Sequence, residues 1–203
     1  MAVKQIRVGF DNFSYIIYCR ASKKAAIVDP GYDASEAINF IVSEKFELLY
    51  IINTHHHSDH TSENQMIKRK FPNAKIVASK EDACNIYYVD IFVSDEDKIK
   101  LGNIVLHFIL TPGHTQGGIC ILVDNEALIT GDTLFIDDCG RCDLPGANIS
   151  YMFESLQKIK KLPDNLIVYP GHDYGNKPFD SLENQKKTNK TLLAKNLEQF
   201  SLI

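Results

Sequence analysis

No apolar run in this chain approaches the roughly 18 residues that a bilayer-spanning helix requires, which argues against a membrane as partner. The opening stretch "MAVKQIRVGF" lacks the apolar core and small-residue cleavage site of a secretory signal. Basic residues are scattered, as in "KTNK", and the formal net charge is −4. Without a basic stripe to neutralise phosphates, nucleic acid is not expected as a partner. Cysteine is sparse and odd in number, five in all, scattered except for Cys139 and Cys142. That pattern offers no disulfide framework and indicates a reducing, cytoplasmic setting. Internal repeats, low-complexity tracts and linkers are also missing, so one domain over residues 1–203 is the economical expectation. No uninterrupted apolar patch marks an interface, although a homo-oligomer is compatible with the sequence.

What is present is a series of short, β-branched apolar runs: "SYIIYC", "AAIVD", "LLYIIN", "KIVAS", "IVLHFIL", "ICILVD", "ALIT" and "LIVYP". Their length and their Gly, Pro, Asn or Asp flanks predict strands. Helical spacing lies between them. In "DASEAINFIVSEK", Ala37, Ile38, Ile41 and Val42 share a face, and Asp33 with Glu36 suggests a capping box. In "NISYMFESLQKIKKL", Ile149, Met152, Phe153, Leu156 and Ile159 share another, with lysines in the last turn. A third helix is expected after His60 and a fourth over about Ser181 to Lys195. Strands interleaved with helices indicate a layered α/β domain.

Four of the seven histidines fall within six residues, in "NTHHHSDH" from Asn53 to His60. Three further strand-like runs also end in a side chain able to bind metal. "VLHFILTPG" leads to His114, "ALITG" to Asp132 and "LIVYPG" to His172. Strand ends aim loop residues at a common point, and Gly113, Gly131 and Gly171 allow sharp turns just before those residues. If the chain leaves the strand extended, His55 and His57 point one way and His56 the other. His55 and His57 can then share a metal. Asp59 and His60, opening the next helix, lie near enough for a second ion roughly 3.5 Å from the first. Asp132 is the candidate bridging carboxylate. Imidazole and carboxylate donors without a thiolate set suit Zn, Fe or Mn in an open, reactive site. His107, inside "VLHFI" with no partner motif, is expected to be structural.

"THHHSDH", "PGHT", "GDTLF" and "PGHDY", in this order, resemble the metallo-β-lactamase superfamily over roughly Val3 to Thr188. The resemblance implies a four-layer αββα sandwich, the metallo-β-lactamase fold, as a single metallo-hydrolase domain with its metals where the two sheets meet at one edge. It implies a first site of His55, His57 and His114. The second would hold Asp59, His60 and His172, with Asp132 and a hydroxide bridging the two. "GDTLF" followed by "CGR" is most similar to glyoxalase II and the related persulfide dioxygenases. By the same resemblance Arg141 faces the substrate and Tyr174 contacts a glutathione moiety, unless Tyr174 packs under the C-terminal helix. "CGRC" is read as a loop beside the metals in preference to a redox or disulfide pair. Thr often stands at the position of Cys142, so that thiol is a departure that would sensitise the activity to oxidants.

A bound dication lowers the pKa of water from about 15.7 to near 7, equivalent to roughly 12 kcal/mol of hydroxide stabilisation. The expected reaction is attack of that hydroxide on a small-molecule thioester, with the oxyanion stabilised by the metals. Asp59 is the candidate to orient the nucleophile or handle its proton, if it is not purely a ligand. Two zinc ions and a hydroxyacyl thioester form the preferred assignment. The alternative is one Fe(II) on His55, His114 and Asp132, oxidising glutathione persulfide. The chain continues from His172 only to Ile203, shorter than the helical region of typical glyoxalase II enzymes, which admits a smaller thiol carrier than glutathione.

Overall fold

The computed structural model describes residues 3–203; Met1 and Ala2 of the opening stretch lie outside them. Among the described residues the first half of the chain gives β1 (Val3–Val8), β2 (Asn12–Cys19), β3 (Lys24–Val28), α1 (Ser35–Ser43), β4 (Glu47–Ile52), α2 (Ser58–Thr61), α3 (Asn64–Lys70), β5 (Lys75–Ser79) and β6 (Ile91–Val93). The second half gives β7 (Lys98–Leu101), β8 (Ile104–Leu110), β9 (Ile119–Val123), β10 (Ala127–Gly131), α4 (Ile149–Lys160), β11 (Ile167–Pro170), β12 (Asp180–Ser181), α5 (Leu182–Thr188), α6 (Lys190–Leu193) and α7 (Leu197–Phe200). None of these helices is long and apolar enough to cross a membrane.

Each half of the chain builds one sheet. The first runs β1 to β6 in sequential order, and the second runs β12-β11-β10-β9-β8-β7. Strand parity explains why the runs looked apolar throughout. In β3, Ala26 and Val28 face the second sheet while Ala25 and Ile27 face the helices. In β9, Ile119, Ile121 and Val123 face inward while Cys120 and Leu122 face outward. A strand buried on both faces has no polar side to alternate.

Three apolar layers result. Tyr15, Ile17, Leu106, Phe108 and Ile129 interdigitate between the sheets. Outside the first sheet, α1 and α3 contribute Ala37, Ile38, Ile41 and Ile67. Outside the second, Met152, Leu156 and Ile159 of α4 meet Leu192 and Phe200. The architecture is the expected αββα sandwich. Truncating the fully buried Phe108 to alanine is expected to cost about 3–5 kcal/mol.

Three local expectations are corrected. Helix α1 has no side-chain N-cap bond. Asp33 instead accepts from the Ser35 backbone N–H at 2.8 Å, and Glu36 pairs with Lys4 at 2.9 Å. Val42 turns to solvent, 55% exposed, and Ile149 is 38% exposed, because each helix buries a narrower stripe than its apolar composition allows. The helix expected over about Ser181 to Lys195 breaks at Asn189, which is extended at φ −68°, ψ 115°. Its side-chain amide donates to the carbonyls of Phe135 (3.1 Å) and Asp138 (3.0 Å), while its oxygen caps Thr191. Those tertiary bonds outweigh the one helical turn that is lost.

Candidate metal centre

Strands β4, β8, β10 and β11 deliver their following residues to one edge of the sandwich. Donor atoms of His55, His57 and His114 lie within 4.8 Å of one another, as do those of Asp59, His60 and His172. Nδ1 of His57 is 2.9 Å from Nε2 of His114, and Nε2 of His60 is 3.2 Å from Nε2 of His172. Asp132 stands between the two groups. Its Oδ1 is 3.4 Å from His60 Nε2, and its Oδ2 is 3.4 Å from His114 Nε2 and 3.3 Å from His172 Nε2. The seven side chains selected from the sequence therefore meet at one place.

The fit to a metal can be judged from atoms that the protein leaves without partners. His55 Nε2 and Asp132 Oδ1 are buried and have no hydrogen-bond partner. Buried polar atoms of that kind are costly unless something pairs with them. Ring nitrogens that converge on one another at close range also need a shared cation or proton between them. The donors are nitrogen and oxygen only, a set that suits Zn, Fe or Mn. The donors of both clusters therefore fit a metal chemically, and Asp132 lies between the two groups.

Outer partners orient the donors, and several of these escaped sequence reasoning. Asp29, at the end of β3, faces His60 Nδ1 at 3.1 Å and accepts from the Thr54 hydroxyl at 2.6 Å and backbone at 2.7 Å. Thr54 in turn contacts His55 Nδ1 at 3.1 Å. Asp11 lies 3.3 Å from His172 Nδ1, and Asn12 donates to Asp59 at 2.9 Å. The Arg141 carbonyl accepts from His114 Nδ1 at 2.8 Å. Such contacts set tautomer and ring orientation. A signal for Asp29 did exist, since "AAIVD" is another apolar run ending in a carboxylate. His56 points away from the cluster, as strand parity implies, and pairs with Asp82 at 3.0 Å.

One glycine has a different role from the one expected. Gly113 and Gly131 hold φ of +151° and +48°, but Gly171 has no positive φ. A Cβ on Gly171 would sit 2.2 Å from Asp132 Oδ1. Glycine is required there to make room for the carboxylate.

Electrostatically the two clusters differ. Burial, together with the neighbouring His60, His114 and His57 rings, holds the His55 basicity well below the usual histidine range. Burial and His114 lower that of His57. Burial opposes protonation of His60 as well, but Asp132, Asp29 and Asp59 overcome it and raise that ring well above the usual range. His172 is likewise lifted against burial, to about 9, by Asp132 and Asp59. Burial alone would raise both Asp59 and Asp132; the surrounding imidazoles instead hold both carboxyls well below the ordinary range.

The guanidinium of Arg141 is exposed and forms a two-point pair with Asp143, both bonds 2.7 Å. Tyr174 does not pack under the C-terminal helix. It is 58% exposed and stacks on His172, centroids 4.8 Å apart and planes 8° apart, with its ring perpendicular to that of Phe135. Cys139 and Cys142 are free. Burial pushes their thiols up to about 12 and about 11, so both stay protonated and weakly reactive at neutral pH. His107, on β8, pairs with Glu96 at 2.9 Å.

Residues 7–172 match the family model described as metallo-beta-lactamase superfamily. The chain is 38% identical over 175 residues to a hydroxyacylglutathione hydrolase of Pelagibacter ubique, covering 86% of this chain and 72% of that protein. It is 31% identical over 183 residues to the mitochondrial persulfide dioxygenase ETHE1 of Bos taurus, covering 89% and 71% respectively. The crystal structure of ETHE1 from Myxococcus xanthus superposes with a TM-score of 0.89 at 27% identity, over 98% of this chain and 88% of that one.

Proposed function

This chain belongs to the metallo-β-lactamase superfamily, and from that premise we propose that it is a metal-dependent hydrolase of a hydroxyacyl thioester, of the glyoxalase II type. The observation that carries the proposal is the position of Asp132, with one oxygen toward His60 and the other toward His114 and His172. A carboxylate set between two complete donor clusters suits a pair of zinc ions: His55, His57 and His114 for one, Asp59, His60 and His172 for the other. Bound there, such ions would supply a hydroxide nucleophile at neutral pH and Lewis acidity toward a thioester carbonyl.

The protein's own groups complete the arrangement. Asp59 is ionised, accepts from Asn12 and is partly exposed, which suits it to accept a hydrogen bond from an attacking water and orient it. Tyr174 offers an exposed ring beside His172, and Arg141 an exposed cation. The pairing of Arg141 with Asp143 is exposed and screened by solvent, so it is readily exchanged for an anionic group of a thiol carrier.

A second reading has its own supporting observation. The overlay with ETHE1 of Myxococcus xanthus has a TM-score of 0.89 and takes in 98% of this chain and 88% of that one. Under that reading His55, His114 and Asp132 would hold a single Fe(II), and the substrate would be glutathione persulfide. Measuring Zn and Fe per purified chain, with lactoylglutathione hydrolysis assayed beside persulfide-dependent oxygen uptake, separates the two. Two zinc ions and thioester cleavage are expected. One iron with oxygen uptake would overturn the hydrolase assignment.

A further inference from the structure

Asp82 lies between β5 and β6, in none of the metal-binding motifs, and is 1% exposed. Its carboxylate is spent on two distant loops. Oδ2 accepts from the His56 backbone N–H at 3.1 Å and the Thr115 hydroxyl at 2.8 Å, and faces His56 Nδ1 at 3.0 Å. Oδ1 accepts from the Gly117 backbone N–H at 2.8 Å. His56 stands between His55 and His57, and Thr115 directly follows His114. The approach of the second loop is close enough that a Cβ on Gly117 would sit 2.7 Å from Asp82 Oδ1 and 2.5 Å from its backbone nitrogen.

We propose that Asp82 is a positioning residue for the first metal cluster: by gripping His56 and Thr115 it fixes the separation of the two loops that carry His55, His57 and His114. The inference rests on the metal-binding reading above. Drawing the His56 ring outward leaves its two neighbours, by strand parity, facing inward. The carboxylate charge state matters because its three hydrogen-bond partners, two backbone N–H groups and a hydroxyl, are all donors. An ionised carboxylate accepts on both oxygens, whereas an amide would set its NH2 against one of those donors. None of these bonds reaches the second cluster, where Asp29, Asp11 and Asn12 serve Asp59, His60 and His172.

The test uses the full chain stripped of metal and titrated with Zn(II) against a chromophoric chelator, then with Co(II) followed by its visible spectrum. Asp82→Asn is expected to weaken one uptake step by about 10–100-fold and to shift the Co(II) bands. Thr115→Val, which removes a single bond, is expected to weaken the same step by about fivefold. Ile41→Val, in the apolar layer beneath α1, lowers the melting temperature of the metal-free chain but binds metal as wild type. Asp82→Asn with wild-type affinity and spectrum would overturn the proposal, as would an equal loss in Ile41→Val. Should Asp82→Asn fail to fold, Thr115→Val decides, and unchanged affinity there overturns it. A wild-type chain that takes up no metal would instead sink the metal-centre reading itself, so the two failures are distinguishable.

Discussion

The two donor clusters are built from similar side chains but sit in opposite electrostatic surroundings. His55 and His57 are crowded by other imidazoles and lose basicity. His60 and His172 are surrounded by Asp29, Asp59 and Asp132 and gain it. The number of nearby carboxylates, more than burial, decides the sign, since burial depresses all four rings. His55 and His57 are thus held toward the neutral form that can take a cation. His60 and His172 are held toward the protonated form, which a cation must displace.

Asp132→Ala should have the largest effect, because that residue faces both clusters. Activity should fall by more than about 100-fold with loss of bound metal, since outer partners alone typically account for 10–100-fold. Full metal content in that variant would refute the bridging role. Asp11→Asn should act asymmetrically, because Asp11 faces His172 of the second cluster at 3.3 Å. Removing that carboxylate is expected to weaken one uptake step by about 10-fold while the Co(II) bands of the other persist; equal weakening of both steps would erase the distinction between clusters.

Protons give a finer comparison. Calorimetry in buffers of different ionisation enthalpy should show more protons released by the second cluster than by the first at neutral pH. In the metal-free chain, His172 holds its proton more firmly than it does when unfolded. It therefore contributes stability that is whole below the ordinary histidine value near 6.5 and fades as pH rises through about 9. His55 acts oppositely: its depressed basicity destabilises the fold as pH falls below about 6.5. The melting temperature of metal-free wild type should drop between about pH 6.5 and 9 more steeply than that of His172→Asn; parallel curves would contradict the assignment. The smallest effect is expected outside the centre. His107→Ala should cost no more than about 1 kcal/mol and leave metal uptake unchanged.

Much of this organisation was legible in the sequence because it depends on local pattern. Apolar runs bounded by turn residues located β2 to β5 and β8 to β11, and the donors sit just past the ends of β4, β8, β10 and β11. Alternation along an extended backbone separated His56 from its neighbours. The bracing residues were harder to see, because nothing local distinguishes them. Asp82 is an ordinary aspartate until Thr115 and Gly117 fold against it, and Asp11 gains its meaning only beside His172. The break at Asn189 was hidden for the same reason, since Phe135 and Asp138 lie more than fifty positions upstream. Val42 was misplaced because composition cannot say how wide a stripe the sheet will cover.

Strand β11 pairs in parallel with β10 and delivers His172, and the start of β2 bridges to His172 itself. On a ribosome the chain therefore emerges with its first cluster encoded early and its last donor encoded near the end. Until β11 inserts, Asp59 and His60 lack their third companion. A metal bound with all three donors of that cluster would require β11 to have paired with β10. A nascent or truncated chain lacking β11 and the residues after it would hold at most a partial donor set.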